Sequence, residues 1–302
     1  MTINDLLDKS KIHGVDLRDY EFLLAHMLGW SRERVIAHPE ATVTPNCAAR
    51  FRRLMARRRQ GEPLPHLLGE AWFYGRPFRV SRGVLIPRPE TEQLIELAVA
   101  RARKLMTHGS RLTAFDLGAG SGCIAITLAT ELPHVRVIAI DVSPAALRVA
   151  RANARQHGVA QHIVFRQGNL LQPLLRDFST RLRLGRNDND SVEGLIIANL
   201  PYLTTTEWRA LPPEIKKYEP RSALDGGPDG LAPFRELFAQ LPQFCVHRSA
   251  FCILEIDPRR KTALTKLVRR MLPDWRMTWH RDLAGRWRVL DLARPKHKKP
   301  AA

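Results

Sequence analysis

Hydrophobic and polar positions follow two different patterns in the two parts of the chain. From Ile3 to about Gly61 the apolar residues recur every three or four positions, which is typical of helices that bury one face. From about Leu112 onward, short apolar runs without polar alternation are interleaved with helix-like segments. Such runs are typical of parallel strands that helices cover on both faces. We therefore predict a small helical region followed by a doubly wound α/β fold with a mainly parallel sheet.

The stretch between these two parts is predicted to contain a hairpin and a helix. Ala71 to Val80 is aromatic and β-branched in places and has glycine and proline in its middle, which favours a short β-hairpin. Glu90 to Leu105 has helical periodicity and follows a rigid segment with two prolines. We predict four segments: a helical domain over residues 1–68, a linking hairpin over 69–86, an α/β domain over 87–293 and a disordered basic tail over 294–302.

Within the α/β part the pattern predicts a regular series of elements. Strands are predicted at 112–115, 135–140, 162–167, 194–198 and 251–256, with helices at 122–130 and 144–157. Two more segments, at 275–280 and 286–292, indicate an antiparallel hairpin that closes one edge of the sheet. The polar stretch at 186–191 is predicted to be an exposed loop.

A glycine-rich loop follows the first strand of the predicted sheet and opens a helix, which is the ligand position of such sheets. Asp116 precedes the loop, whose residues are Gly118, Ala119, Gly120, Ser121 and Gly122. Glycines there adopt positive φ and let backbone N–H groups approach a ligand. Cys123 and Ile124 fit neither a dinucleotide-binding nor a phosphate-binding loop. The loop resembles the first motif of class I methyltransferases, which implies that Asp116 and the loop serve the aminoacyl end of S-adenosylmethionine.

Further cofactor contacts are predicted after the next two strands. Asp141 ends the second strand, where a carboxylate can accept hydrogen bonds from both ribose hydroxyls. The alternative is that Asp141 caps the helix beginning near Pro144, although Ser143 suits that role as well or better. Asn169 and Leu170 stand where methyltransferases bracket the adenine with an amide and an apolar contact.

The fourth strand runs directly into Asn199, Leu200, Pro201 and Tyr202. A conjugated amide nitrogen is a poor nucleophile, so a site that methylates one must orient its N–H groups. The Asn199 side-chain oxygen and the Leu200 carbonyl, fixed by Pro201, can accept those groups. Tyr202 can pack against the planar group. We predict that this tetrapeptide binds the acceptor and is catalytic, and that Asn199 also contacts the cofactor. The alternative is an ordinary turn, since Asn, Pro and Tyr often follow strands.

Three further stretches, at residues 69–75, 84–92 and 219–231, extend the likeness over nearly the whole chain. With them the sequence resembles the release factor glutamine methyltransferases, also described as the HemK family. The resemblance implies a helical substrate-recognition domain, a class I catalytic domain and S-adenosylmethionine as the methyl donor. It also implies the acceptor, which is the N5 amide nitrogen of the glutamine in the Gly-Gly-Gln motif of class 1 peptide chain release factors.

Two departures from the family pattern matter here: one leaves other methyl acceptors open, and the other concerns cofactor affinity. The family usually has Asn-Pro-Pro-Tyr, and Leu200 here gives Asn-Leu-Pro-Tyr, which also resembles rRNA adenine methyltransferases. Gly168 and Asn169 stand where the family more often has Ser and Asp, which predicts altered rather than lost cofactor affinity. The alternatives are N6 methylation of adenine in RNA or DNA, methylation of a ribosomal-protein glutamine, and a ribosome-associated module without turnover.

Charge and cysteine content bear on partners and location. Lys and Arg number 48 against 30 Asp and Glu, a formal net charge of +18, which favours RNA or ribosome proximity unless it reflects solubility alone. Six arginines between residues 50 and 59 surround most of one predicted helix, which could face RNA, an acidic protein or only solvent. The four cysteines lack metal-ligand spacing, so we expect no metal. No apolar run approaches about 18 residues and the first ten residues carry charges, so we expect no membrane span and a cytoplasmic location. We also expect a monomer.

Overall fold

The computed structural model describes residues 1–8, 16–106, 111–176, 192–245 and 250–294. The loop predicted at 186–191 lies outside these ranges, as does the predicted tail apart from Arg294.

The N-terminal region is helical, as its periodicity predicted. Its helices are α1 (Ile3–Leu6), α2 (Leu17–Leu28), α3 (Arg32–Ala37), α4 (Pro45–Arg59) and α5 (Leu64–Leu68). Side-chain oxygens of Asp16, Ser31 and Thr44 accept backbone N–H groups at the starts of α2, α3 and α4, which fixes where these helices begin. Their apolar faces meet in one buried cluster that includes Leu23 and Phe51.

A hairpin and a long helix connect this region to the sheet. β1 (Glu70–Phe73) pairs antiparallel with β2 (Arg76–Arg79), and Trp72 lies opposite Pro77. Phe73 and Phe78 are buried and pack in the same cluster as the apolar face of α6 (Thr91–Met106). The hairpin therefore covers part of one face of the sheet and carries the chain from the helical region to α6.

In the part of the chain that the structure describes, seven strands form the central sheet in the order β5-β4-β3-β6-β7-β9-β8. They are β3 (Arg111–Leu117), β4 (Arg136–Asp141), β5 (Ile163–Gln167), β6 (Val192–Ala198), β7 (Ala250–Glu255), β8 (Arg276–Arg281) and β9 (Trp287–Ala293). β3 to β7 are parallel, whereas β9 is antiparallel to both β7 and β8. The predicted doubly wound sheet with a terminal antiparallel hairpin is confirmed. The strand order reverses between β3 and β6, and ligands of such sheets bind at that point.

Helices cover both faces of this sheet. They are α6, α7 (Cys123–Glu131), α8 (Pro144–Gln156), α9 (Gln172–Arg176), α10 (Thr205–Ala210), α11 (Pro213–Tyr218), α12 (Ala232–Phe244) and α13 (Lys261–Met271). Successive residues of β3 belong to opposite faces: Ala114 packs with the α6 and α7 side, and Phe115 packs edge-on against Phe244 of α12. Burial of both faces explains why the strands are apolar without alternation.

Candidate active site

A cavity of about 400 Å³ lies at the carboxyl ends of β3, β4 and β6. Its volume falls within the range of ordinary small-molecule sites. The sequence-predicted site residues that line it are Gly118, Gly120, Asp141, Asn169, Leu170, Asn199, Leu200 and Pro201. The glycine loop and the tetrapeptide therefore share one cleft, as methyl transfer between them requires.

The three loop glycines have different structural roles. Gly118, Gly120 and Gly122 have φ of +78°, +55° and +83°, a region that other residues seldom adopt. Gly118 and Gly120 line the cavity, whereas a Cβ on Gly122 would lie 3.0 Å from the Ala150 Cβ of α8. Gly122 thus allows α7 and α8 to pack closely and does not face the ligand space.

The loop is held in place from behind by buried groups. The Gly118 and Ala119 N–H groups donate to the Ile140 carbonyl at 2.8 and 3.0 Å. The buried Asn153 amide donates to the Ser121 carbonyl at 2.8 Å and also bonds the backbone of β2. Ala119 and Ser121 are buried and do not line the cavity. Asn153 was not identified from the sequence.

Asp116 is fully buried below the loop and does not line the cavity. Its Oδ2 accepts the Ala125 N–H at 3.0 Å in the first turn of α7, and its Oδ1 has no hydrogen-bond partner in the described protein. Burial raises the pKa of Asp116 to about 7, the Ala125 bond opposes this rise, and the Asp141 charge adds to it. A role for Asp116 in cofactor binding stays a prediction, and its observed contact is with the helix.

The Asp141 carboxylate lies at the wall of the cavity. Oδ2 accepts the Gly120 N–H and Oδ1 accepts the Ser143 N–H, both at 2.8 Å. The N-cap of α8 is Ser143, whose hydroxyl accepts the Ala146 N–H at 3.2 Å. Capping therefore does not require Asp141, and each of its oxygens retains a lone pair for a ligand.

Asn169 is paired with a carboxylate that the sequence did not reveal. Its Nδ2 donates to Oε1 of Glu236 at 2.5 Å, and both residues line the cavity. An ionised carboxylate only accepts hydrogen bonds, so the amide must present its NH2 to Glu236 and is left with a free Oδ1. The neighbouring Leu170 is buried, lines the same wall and has a φ of +50°.

The tetrapeptide borders this cavity and an adjoining one of about 200 Å³. Asn199 lines both cavities, and Tyr202 lines the second. The Asn199 Nδ2 donates to Oγ1 of Thr91 at 3.1 Å. Leu200 is 3% exposed and packs in the core, so the departure from proline is accommodated there. Burial raises the pKa of Tyr202, which keeps its hydroxyl protonated.

The stretches 84–92 and 219–231 form walls around the tetrapeptide. Arg88 donates to both carboxylate oxygens of the buried Glu219, at 2.6 and 2.8 Å, and so joins the two stretches. A Cβ on Gly226 would lie 2.6 Å from the Pro201 carbonyl oxygen, and one on Gly230 would lie 2.3 Å from that of Tyr202. The backbone of the second stretch therefore packs directly on the tetrapeptide.

No group of three or more His, Cys, Asp or Glu side chains among the described residues could hold a metal ion. None of the helices in the same residues is both long and apolar enough to cross a membrane.

The mainly parallel sheet with its terminal hairpin and its shared cleft is that of a class I methyltransferase. The model of the PrmC N-terminal domain matches residues 5–69, and a methyltransferase domain model matches residues 108–183. The release factor glutamine methyltransferase of Nitratidesulfovibrio vulgaris is 35% identical over 266 residues, which cover 88% of this chain and 84% of that one. That of Geobacter sulfurreducens is 38% identical over 224 residues, or 74% and 71% of the two chains. The chain belongs to the release factor glutamine methyltransferase family.

A solved structure gives independent support for the fold. The hMettl16 catalytic domain, in complex with MAT2A 3′UTR hairpin 6, aligns with a TM-score of 0.54 at 16% identity, covering 85% of this chain and 84% of that one. Similarity at this identity concerns the fold alone. Family membership and the methyltransferase domain match confirm the predicted enzyme class and S-adenosylmethionine as the methyl donor.

Proposed function

We propose that this enzyme methylates the N5 amide nitrogen of the glutamine in the Gly-Gly-Gln motif of class 1 peptide chain release factors. The observation that carries the proposal is the position of Asn199 in the walls of two adjoining cavities. A methyl donor in the larger cavity and a flat amide in the smaller one meet at this residue. The names of the curated relatives support the same acceptor.

The larger cavity suits S-adenosylmethionine in volume and chemistry. Asp141 accepts the ribose hydroxyls, and the free Oδ1 of Asn169 accepts the adenine amine beside the apolar Leu170. The backbone of Gly118 and Gly120 approaches the aminoacyl end, together with Ala119, Ser121 and Gly122 of the same loop. Asp116 serves that end indirectly, by bonding the helix that carries the loop.

The acceptor amide enters from the smaller cavity and is held where that cavity meets the larger one, whose wall includes Leu200 and Pro201. The Asn199 side-chain oxygen and the Leu200 carbonyl accept its two N–H groups, and Pro201 limits the conformations of that backbone. Tyr202 packs against the amide plane. Bound S-adenosylmethionine supplies an electrophilic methyl group on a sulfonium. The nitrogen becomes acidic once it is methylated, so orientation and electrostatics account for most of the acceleration.

Several broader assignments belong to the same proposal. Helices α1 to α5 correspond to the substrate-recognition domain over residues 1–68, with the hairpin region 69–86 joining it to the catalytic domain over 87–293. Exposed Arg50 and Arg53 of α4 and the net charge of +18 support proximity to RNA or the ribosome. We further propose that the enzyme acts as a cytoplasmic monomer.

Incubation with labelled methyl donor tests the acceptor directly. Purified release factor, ribosomal protein and rRNA are offered in parallel, with a Gly-Gly-Glu release factor as the matched control. We expect label on the Gly-Gly-Gln factor alone, located by peptide mass spectrometry. Ribonuclease-sensitive label on rRNA, or label on a ribosomal protein, would show that this molecule and not the release factor is the acceptor. If the folded protein labels none of these molecules, the result would support the alternative of a ribosome-associated module without turnover.

A further inference from the structure

A buried carboxylate lies behind the tetrapeptide, at the carboxyl end of β7. Glu255 is 1% exposed, and its Oε2 accepts the Thr91 hydroxyl at 2.6 Å. Thr91 in turn accepts the Asn199 amide at 3.1 Å. Hydrogen bonds through Thr91 thus link this carboxylate to Asn199 at the start of the tetrapeptide.

The direction of these hydrogen bonds is determined by the ionised carboxylate. It can only accept, so the single proton of the Thr91 hydroxyl points to Glu255. The Thr91 oxygen can then only accept from Asn199, which must turn its NH2 inward. The Asn199 Oδ1 consequently faces away from Thr91, where it can accept an N–H group of the acceptor.

We propose that Glu255 is a positioning residue that orients the Asn199 amide through Thr91. This inference rests on the proposed function and specifies how its acceptor site is aligned. If the Asn199 amide were reversed, it would present N–H to the N–H of the acceptor. Such an arrangement could not hold the acceptor nitrogen beside the methyl group.

The cost of burying this charge is offset by specific contacts. An isolated buried carboxylate is strongly destabilising unless it is bonded. Burial raises the pKa of Glu255 to about 7, and nearby Glu90 adds to the rise, while the Thr91 bond and the Arg288 charge oppose it. At pH 8 the carboxylate is therefore mostly ionised.

The test measures methyl transfer to release factor at pH 8. In Glu255→Gln, the new amide can donate to Thr91, so the Thr91 proton turns to Asn199 and reverses its amide. We expect kcat to fall on the order of tenfold to a hundredfold, below the loss for a group that contacts the transition state. Cofactor affinity should fall by much less than kcat, because Asn199 is a single cofactor contact among several.

Variants of Thr91 keep the test valid if Glu255→Gln does not fold. Thr91→Val should lose a similar factor, and Thr91→Ser should restore most of the rate because it retains the hydroxyl. The double variant should lose no more than the worse single variant, because both changes break one chain of bonds. Asp291→Asn is the matched control, since Asp291 is also buried, lies on β9 and pairs with Arg101 away from the cleft.

A readout that does not need an acceptor separates this inference from the proposed function. With asparagine labelled by ¹⁵N, the Asn199 side-chain amide should exchange slowly in the wild type and rapidly in Thr91→Val. If the wild type labels no release factor, the exchange rates still show whether the Asn199 NH2 group is bonded to Thr91. Wild-type kcat in folded Glu255→Gln, or equal exchange rates in the two proteins, would overturn the inference.

Discussion

The two halves of the cleft are built in different ways. In the cofactor half, Gly120 and Asp141 are 21 residues apart and follow neighbouring strands. In the acceptor half, Asn199 contacts Thr91 across 108 residues, and Thr91 contacts Glu255 across 164. The first half depends mainly on the loops that follow β3, β4 and β5, with Glu236 of α12 bonding Asn169 across 67 residues. The second half depends on contacts that span most of the domain. Because the two halves bind different molecules, we expect changes in the acceptor half to lower kcat and changes in the cofactor half to weaken cofactor binding.

The largest expected effect is that of Asn199→Ala. Removing the group that orients the acceptor nitrogen should lower kcat by about 10²- to 10³-fold, as for other donors or acceptors aimed at a transition state. Cofactor affinity should fall by about tenfold at most, the loss of one hydrogen bond. Steady-state methyl transfer and calorimetric titration of the cofactor measure the two quantities.

Asn169→Ala provides the contrast in the cofactor half. It should weaken cofactor binding and leave kcat nearly unchanged at saturating cofactor. If Asn199→Ala weakened cofactor binding as much as it lowered kcat, the division of the cleft into two halves would be wrong.

Gly230→Ala should have the next largest effect. Gly230 has a φ of +73°, and a Cβ there would lie 2.3 Å from the Tyr202 carbonyl oxygen. The tetrapeptide must move, and a displacement of about 1 Å at such a site costs about a hundredfold in rate. The kcat for release factor methylation and the midpoint of urea unfolding should both fall.

Gly285→Ala is the matched control for backbone strain. Gly285 has a φ of +75°, but no atom of the described residues lies within 4 Å of its added Cβ. This variant should lose about 1 kcal/mol of stability from strain and keep its activity. Equal rate losses in the two variants would show that packing on Tyr202 is unimportant.

Sequence patterns predicted which residues of the cofactor half come together, because these residues occupy fixed places in a βα repeat. Gly118, Gly120 and Asp141 follow the ends of β3 and β4, so strand periodicity alone brings them together. Asn199 was found for the same reason, since it ends β6. Even here the pattern did not separate Gly118, which lines the cavity, from Gly122, which packs against α8.

The supporting contacts of the acceptor half could not be predicted in this way. Thr91 and Glu255 are ordinary residues of a helix start and a strand end, and only the folded chain places them in contact. The Arg88 and Glu219 pair joins stretches that are 131 residues apart. The short helices α10 and α11 also went unpredicted, because six residues do not establish a helical period.

Glu236→Gln sharpens the comparison from the cofactor side, with a smaller expected effect. A glutamine can donate as well as accept, so the Asn169 amide no longer has one orientation. Cofactor affinity should fall about fivefold, near 1 kcal/mol, the value of one hydrogen bond. The kcat at saturating cofactor should change by less than about twofold. Asp229→Asn is the control, because Asp229 pairs with Arg235 outside the cavity. A loss in kcat rather than in affinity would place Glu236 in the acceptor half.

The smallest expected effect on the reaction is that of Asp116→Asn, which should alter the pH dependence of stability. The pKa of Asp116 is about 7 in the folded protein and 3.8 as a free group, so between these values only the folded chain holds the proton. The wild type must then lose stability relative to the variant as pH rises from about 4 to 7, by up to about 1.4 kcal/mol per pH unit.

Urea unfolding of both proteins at pH 5, 6, 7 and 8 measures this difference. The stability of Asp116→Asn minus that of the wild type should increase up to about pH 7 and then level off. A difference independent of pH would mean that Asp116 is ionised throughout this range. Because Asp116 lies behind the loop and bonds Ala125, its loss should change cofactor affinity less than the loss of Asp141 does. The reverse order would show that the buried carboxylate contributes more to the cofactor half than the one at its wall.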